Sequence, residues 1–503
     1  VSHLAAPSGS ATAAAGQDRQ HNRRWAVLGF LGLAQLMVVL DATIVNIALP
    51  SAQQALDFSN ADRQWVVTAY SLAFGGLLLL GGRLADLFGR KRTLMIGLIG
   101  FAAASALGGA AQGIELLVIA RALQGAFGAL LAPSALSLLT ITFTDPVERG
   151  KAFGIFGSIA GAGAAIGLLL GGLLTEYLSW AWCLYVNLPI AVIAAVGAFV
   201  VLPNVPRSTG VRLDIPGVVT AVLGLAGLVY AFSRAETDGW TDPWTVGLIA
   251  VSVVLLVAFV LIQTRTGHPL LPLRVVLDRR RGGAYLAIAL AAIGMFAVFL
   301  FLTYYMQQVL GFTPLKAGVA FLPFVAGIII SSTVIATRLL PRIGPKPLIL
   351  TGQLLGAAGL LVMWRLHLGS SYAAHVLPAL FVMGLGMGMI FASCFNTATS
   401  GVQAQDAGVA SALVNTGQQV GGALGTALLN TIASTVTASY LTDHASGGRP
   451  SATTIAAASV AGDTRAFLVS AGIFLVAAVL TLVVLPWGAN PAGRPGAAAP
   501  AGH

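Results

Sequence analysis

Runs of about twenty consecutive apolar residues recur along this chain, and that recurrence decides its solvent. A hydrocarbon core about 30 Å thick needs roughly 20 apolar residues per helix. Fourteen such runs are read, at about 25–49, 64–81, 93–111, 114–140, 152–173, 183–202, 215–233, 244–263, 284–306, 317–337, 347–364, 374–397, 407–433 and 466–486. Barrel strands are excluded by length, because a spanning strand needs only about 10 residues and alternates polar with apolar. Composition agrees: 57% of the 503 residues are hydrophobic, 9% are charged and mean hydropathy is +0.87. The fold class predicted is an all-α integral membrane protein with 14 transmembrane helices.

The net charge of +10 does not mark a nucleic-acid surface. With the N-terminus placed inside, 20 of the 27 Lys and Arg fall in loops on that side, 6 on the other, and Arg121 lies within a run. The 17 acids show no such bias, with 7 inside, 9 outside and Asp41 in a run. Loop Lys and Arg, rather than net charge, orient a membrane chain. The basic excess therefore reads as topology, with both termini cytoplasmic and no nucleic-acid partner. Residues 1–24 are rich in Ala, Ser and Gly and then basic, which predicts a disordered cytoplasmic tail. The run after Arg24 is too long for the apolar core of a cleaved signal peptide. Residues 487–503 are read as a second cytoplasmic tail. Cys183 and Cys394 sit in or beside apolar runs, a placement that suits neither a disulfide nor a metal site. Four lysines against 23 arginines fit a GC-rich bacterial gene and hence a bacterial plasma membrane.

The second run is followed by RLADLFGRK at 83–91 and the tenth by RLLPRIGPK at 338–346, both R-L-x-x-x-x-G-x-K at an offset of 255 residues. Each copy occupies the second helix-to-helix loop of its half. Transporters are commonly built from such repeats, with the substrate site at their interface. The predicted organisation is a six-helix half over 25–202, a linker at 203–283 carrying two extra helices, and a second six-helix half over 284–486.

Asp41, in VVLDATIVNIALP (38–50), is an acid inside a run suited to lipid. A charge at that depth costs about 2.5 to 3.5 kcal/mol on insertion scales, so it needs a partner or a proton. Arg121, in LLVIARALQGAFGALLAPSAL (116–136), is the other charge well inside a run. The first helix runs outward and the fourth inward, which puts both residues roughly 10 to 12 Å deep at about 1.5 Å per residue. Arg121, Gln124, Gly125, Gly128 and Ala132 share one helix face, where small residues admit a neighbour closely. Two roles fit the pair. A buried acid changes its affinity for protons with whichever state exposes or pairs it, which links proton binding to conformation; a fixed ion pair would only hold two helices together. The second half has no acid well inside its runs.

In GGRLADLFGRKRTLMIG (81–97), Gly82, Leu84, Ala85, Asp86, Gly89, Arg90, Lys91 and Leu94 match the pattern G-x-L-a-D-x-x-G-R-K-x-x-L. On these residues the chain resembles the major facilitator superfamily. The fourteen runs, LDATIVNIALP in the first, and R-x-x-Q-G at Arg121–Gly125 narrow the resemblance to its fourteen-span drug:proton antiporters, over about residues 25–486. The resemblance implies the major facilitator fold, two six-helix halves plus two inserted central helices. It also implies proton coupling through Asp41 and Arg121, and a cytoplasmic gate at Gly82, Asp86, Gly89, Arg90 and Lys91. The segment GIFGSIAGAGAAIGLLLGGLLTEYLSWAWCLYVNLP (154–189) is similar to the family's antiporter motif. There Gly163, Gly167, Gly171 and Gly172 imply a smooth face for helix packing. Leu168 stands where the family has Pro, and Ala181 where it has Arg; the missing proline removes a kink.

No Lys-Ser/Thr follows these glycines and no phosphate-binding loop occurs elsewhere. The expected driving force is the proton gradient, with no ATP, no cofactor and no metal. No His, Cys or carboxylate cluster has catalytic spacing, so no enzyme activity is expected. Gln124, Phe296, Phe299, Tyr304, Asn415 and Gln418 are candidate substrate-pocket residues. The aromatics suit a drug surface, although aromatics near a run's end also form an interfacial belt, and the amides need a cavity or another helix to face. The function implied is proton-coupled export of a drug or antibiotic by a monomer in a lipid bilayer, conferring resistance or self-resistance in a producer. The family includes exporters from producers of puromycin and similar compounds, yet no residue named here selects that cargo. A carrier of a metabolite, siderophore or lipid, and a transport-dead membrane sensor, are the alternatives.

Overall fold

In lipid the backbone has no outside partner for its N–H and C=O groups, so long apolar runs close their hydrogen bonds as helices. The computed structural model describes residues 9–143, 145–202, 214–267, 269–400, 407–444 and 450–488, and every regular element among them is helical. The N-terminal half holds α1 (Gly9–Leu56), α2 (Asn60–Phe88), α3 (Arg90–Gly109), α4 (Ile114–Thr142), α5 (Pro146–Tyr177), the one-turn α6 (Trp182–Tyr185) and α7 (Asn187–Val201). Two inserted helices follow, α8 (Ile215–Asp238) and α9 (Pro243–Arg265), and then the short α10 (Leu273–Val276). The C-terminal half begins with α11 (Arg279–Tyr304), α12 (Pro314–Ala320), α13 (Leu322–Ile330) and α14 (Thr337–Ile343). It continues with α15 (Pro345–Met363), α16 (Leu377–Thr399), α17 (Ala407–Asp443) and α18 (Ala452–Val484). α12 to α14 form one interrupted crossing, with a π-helical segment at Ser331–Ala336.

Among the described residues, twelve helices are long and apolar enough to cross a membrane. The remaining two of the fourteen expected crossings correspond to α5, described without interruption only over Gly163–Tyr177, and to α17. α5 is glycine-rich and α17 carries Asn415, Gln418, Gln419 and Asn430. Both pack against the opposite half, where small and polar residues allow close approach and hydrogen bonding that lipid does not offer.

Two expectations are corrected. α1 begins at Gly9, inside the segment expected to be a disordered tail, because ATAAAG (11–16) is dominated by alanine, the strongest helix former. The C-terminal half does contain a buried acid: Asp463, 6% exposed, lies in α18, which starts at Ala452 rather than near residue 466.

The repeat seen in the sequence has a conformational counterpart. Gly89 (φ 97°) and Gly344 (φ 80°) each end a helix in the region glycine favours. Their N–H groups bond Ala85 O and Leu340 O at 3.0 and 3.1 Å. At this basic end the cations cap carbonyls within their own half. Arg23 Nε donates to Val201 O (3.1 Å) at the end of α7, and Arg279 donates to Val484 O (2.9 Å) and Val483 O (2.8 Å) at the end of α18. A cation there also complements the helix dipole.

The halves meet along two seams, α2 against α17 and α5 against α12. Gly75 faces Gln419 and Val420, and Gly172 faces Pro314 and Leu315. Hydrogen bonds that cross between halves at the α1–α2 end include Arg63 to Asn430, Tyr304 to Gln53, Gln307 to Ile47 O, and Leu315 N–H to Glu176. α8 lies over the first seam, touching α2 through Trp65 and Tyr230 (ring centroids 6.3 Å) and α17 through Thr431, which donates to Phe232 O at 2.8 Å.

Candidate functional site

Asp41 and Arg121 are brought together. Arg121 Nη1 lies 2.5 Å from Asp41 Oδ2, with the two side chains 1% and 0% exposed. The pair does not stand alone. Gln124 Nε2 donates to Asp41 Oδ1 at 2.8 Å, and Asn187 Nδ2 donates to the same oxygen at 2.7 Å. Both amides also donate to Ser105 Oγ at 3.0 Å, while the Ser105 hydroxyl donates to Leu184 O at 2.7 Å. Arg121 also donates through Nη1 to Gln124 Oε1 (2.9 Å) and through Nε to Val66 O (3.0 Å), and its guanidinium carbon lies 4.4 Å from the Tyr70 ring centroid. Six helices contribute: α1, α2, α3, α4, α6 and α7.

Such convergence is what an ionised carboxylate away from water requires. Removing one partner of a buried pair strands the other charge, at about 3 to 5 kcal/mol. Here three side-chain donors satisfy the anion. One polar atom of the cluster is left over. Asn187 Oδ1 is buried and has no hydrogen-bond partner among the described residues. A cavity of about 10 Å³, lined by Val45, Val66, Leu117, Trp180 and Cys183 among others, reaches Arg121 from the α1–α2 side.

The other sequence candidates disperse. Gln124, read as a pocket residue, belongs to the Asp41 cluster and is 0% exposed. Tyr304 lies at the seam between halves, with the Arg63 guanidinium 4.4 Å from its ring. Phe299 packs in the C-terminal half against Phe321 and Phe324, at 5.1 and 5.3 Å between centroids. Asn415 and Gln418 are half-buried on α17. The side chains of Asp86 and Phe296 lie outside the described residues.

Of the glycines, Gly163, Gly167 and Gly171 face Val39, Thr43 and Ile44 of α1, whereas Gly172 faces the other half. α5 runs unbroken past Leu168. In the loop motif, Gly82 lies beside Pro133, Arg83 donates to Pro269 O (2.8 Å), and Lys91 donates to Phe199 O (2.8 Å) and Leu202 O (2.7 Å). Arg90 is half-buried.

Sequence reasoning did not single out Ser105, Asn187, Tyr70, Arg63 or Asp463. For Asn187 a signal existed, an amide five residues into the sixth apolar run, where lipid offers it no partner.

The model of the Major Facilitator Superfamily matches residues 31–426. The chain belongs to that superfamily. This major facilitator is 51% identical over 480 residues to the puromycin resistance protein pur8 of Streptomyces alboniger, covering 95% of this chain and 94% of that one. It is 38% identical over 402 residues to the cephamycin export protein CmcT of Amycolatopsis lactamdurans, covering 79% and 83%. To the tetracenomycin C resistance and export protein of Streptomyces glaucescens it is 34% identical over 427 residues, covering 85% and 78%. Among solved structures, a bacterial homologue of the human lysosomal transporter Spinster in an inward-facing conformation matches at TM-score 0.65 and 15% identity, over 92% of this chain and 97% of that one. At that identity the match describes the fold alone, two helical halves around a central path.

Proposed function

We propose that this major facilitator exports an antibiotic or related drug from the bacterial cytoplasm in exchange for protons, and that Asp41 carries the proton. The observation that carries the reading is the Asp41 carboxylate, fully buried and held by Arg121, Gln124 and Asn187. The resistance and export proteins to which the chain is similar support the cargo class, with puromycin the first compound to test.

The chemistry follows from donor counting. A proton on Asp41 Oδ2 turns an acceptor into a donor and sets it against Arg121, which has donors only. The ion pair then opens. Arg121 retains Gln124 Oε1 and Val66 O as acceptors. The acid finds its own acceptor when the Asn187 amide rotates and presents Oδ1, the atom left unpartnered around the anion. Val66 lies one turn along α2 from Arg63, which bonds Asn430 of the other half. One turn of α2 therefore links the protonation state of Asp41 to the seam between halves.

Cargo and proton need not touch. Each has to bind one state of the seam better than the other, because a ligand of equal affinity for both shifts nothing. The basic end is cytoplasmic in this reading, as are both termini, and the α1–α2 end faces outside. One chain holds both halves and hence the whole path, so a monomer in the plasma membrane suffices. The driving force is the proton gradient, without ATP or cofactor.

Everted membrane vesicles with an acidified lumen and a pH-sensitive dye test this. Puromycin added to the wild type releases protons, and the Asp41→Asn variant, inserted at equal level, does not. Release that is absent with puromycin, cephamycin and tetracenomycin C, or unchanged in Asp41→Asn, overturns the reading.

A further inference from the structure

Arg63, at the start of α2, is a second buried cation. It is 6% exposed, its Nε donates to Asn430 Oδ1 at 3.3 Å, and its guanidinium carbon lies 4.4 Å from the Tyr304 ring and 5.7 Å from that of Phe301. Each of these partners belongs to the other half. A neutral amide oxygen and two ring faces do not offset a full charge removed from water. The acid of that half within electrostatic reach of Arg63 is Asp463 on α18, also 6% exposed, although the two form no direct contact.

Asp463 differs from Asp41 in its surroundings. Among the described residues no side chain donates a hydrogen bond to it and no direct ion pair is formed. The ionisable groups acting on it are Arg63 of α2 and Tyr305 of the π-helical segment after α11, and its neighbour on α18, Arg465, is exposed. α15, α17 and α11 add no further charge against it among the described residues; Tyr304 of α11 faces Arg63 instead. α18 is fixed at this level, because Gly462 sits against Ala433 and Thr437 of α17, one to two turns from the Asn430 that receives Arg63. Asn430 and Asp463 thus move as one body, and Arg63 moves with the other half. On α2, Thr68 and Ser71 share a face with Gly75, which meets Gln419 and Val420 of α17, and their buried hydroxyls have no partners among the described residues, so the seam is polar where it must open to water.

We propose that Asp463 is a second proton-binding site, whose ionised form holds Arg63 and closes the α1–α2 end between the halves and whose protonated form lets that end open. An unprotonated Asp463 makes the burial of Arg63 tolerable. A proton taken up from water on its carboxylate removes that compensation, and water re-solvates Arg63 once the halves part. The closed end favours the anion and the open end accepts the proton, so the two are linked. The proposal rests on the reading that the α1–α2 end faces outside, where acid then opens the path through which cargo leaves.

The test needs no drug. Spin labels on Gln54→Cys and Thr442→Cys, exposed residues of opposite halves at this end, report its width by pulsed dipolar spectroscopy of the full chain in nanodiscs. In the wild type the ratio of long to short distances rises toward about tenfold between about pH 8 and about pH 5, the limit set when the two states differ by about one pKa unit. Asp463→Asn shows the long distance at both values, and Asp463→Glu, monodisperse and folded, keeps the response. Arg63→Gln loses it. Asp41→Asn fixes the coupling through Val66 in one state and so shifts the balance of distances, yet a change of width with pH persists while drug-driven proton release is lost, which separates this site from the one above. An unchanged response in Asp463→Asn, or no response in a wild type that still exchanges drug for protons, overturns the proposal.

Discussion

Lys91 and Lys346 make the same contact in the two halves. Lys91 Nζ donates to Phe199 O and Leu202 O at the end of α7, and Lys346 Nζ donates to Leu482 O (2.7 Å) at the end of α18. Each ammonium also lies over a ring beside those carbonyls, Phe199 at 5.3 Å and Trp487 at 4.4 Å. Both lysines close the motif R-L-x-x-x-x-G-x-K, so the repeat encodes one device twice: a glycine turn that aims a cation at the last carbonyls of the sixth helix of its half.

Lys91→Met and Lys346→Met should each lower stability by about 1.5 to 3 kcal/mol, the range for losing a charged hydrogen bond. The two share no partner, so their effects should add to within about 0.5 kcal/mol. Thermal unfolding of the two single variants and the double variant in detergent checks this.

Asn187 gives a sharper separation. Asn187→Leu removes a donor from the Asp41 anion and the acceptor reserved for the acid, without touching the ion pair itself. Losing a hydrogen bond to a charged group costs about 1.5 to 3 kcal/mol, which corresponds to about a ten- to hundredfold loss of drug-driven proton release in everted vesicles. Equilibrium binding of puromycin to the purified variant should change little, because the residue sits inside the N-terminal half.

Gly172 and Gly163 belong to one helix and predict different outcomes. A side chain at Gly172 meets the backbone of Pro314 and Leu315 in the other half, whereas one at Gly163 meets Leu36 and Val39 of its own half at about 3.2 Å. Gly172→Leu should therefore shift the Gln54–Thr442 label pair toward long distances at neutral pH. Gly163→Ala should reduce thermal stability, leaving that distance unchanged.

What the sequence made legible was set by length and charge. Apolar runs announce helices in lipid, loop cations announce an orientation, and Asp41 and Arg121 stood out because charge in such runs is rare. The partners of Asp41 were harder to see. Ser105 and Asn187 are neutral, and only the packing of α3 and α7 on α1 carries them to one carboxylate. Gln124 was visible, and its spacing from Arg121 fits a pocket wall as well as the hydrogen-bond bridge to Asp41 that the structure shows. Asp463 escaped because α18 begins about four turns before the apolar run that marks it, in an Ala- and Thr-rich stretch whose hydropathy does not announce a crossing. Arg63 looked like an ordinary loop cation until α17 was packed against it.

The inserted pair offers the last test. Asp214 and Gln263, 5% and 4% exposed, tie the start of α8 to the end of α9: Gln263 Nε2 donates to Asp214 Oδ2 at 2.6 Å, and Leu271 N–H donates to Gln263 Oε1 at 3.0 Å. Asp214 Oδ1 also caps α8 through Gly217 N–H at 3.0 Å. Gln263→Leu keeps the volume but leaves a buried carboxylate oxygen and a backbone N–H unpaired, at about 1 to 3 kcal/mol for each unsatisfied group. The variant should unfold at lower temperature in detergent. Its rate of drug-driven proton release at a permissive temperature should match the wild type if, as proposed, the exchange is carried by the two six-helix halves, since α8 and α9 lie outside them. A variant of normal stability and lost transport would instead make the insert part of the moving machinery, working through the Thr431 to Phe232 bond that fastens α17 to α8.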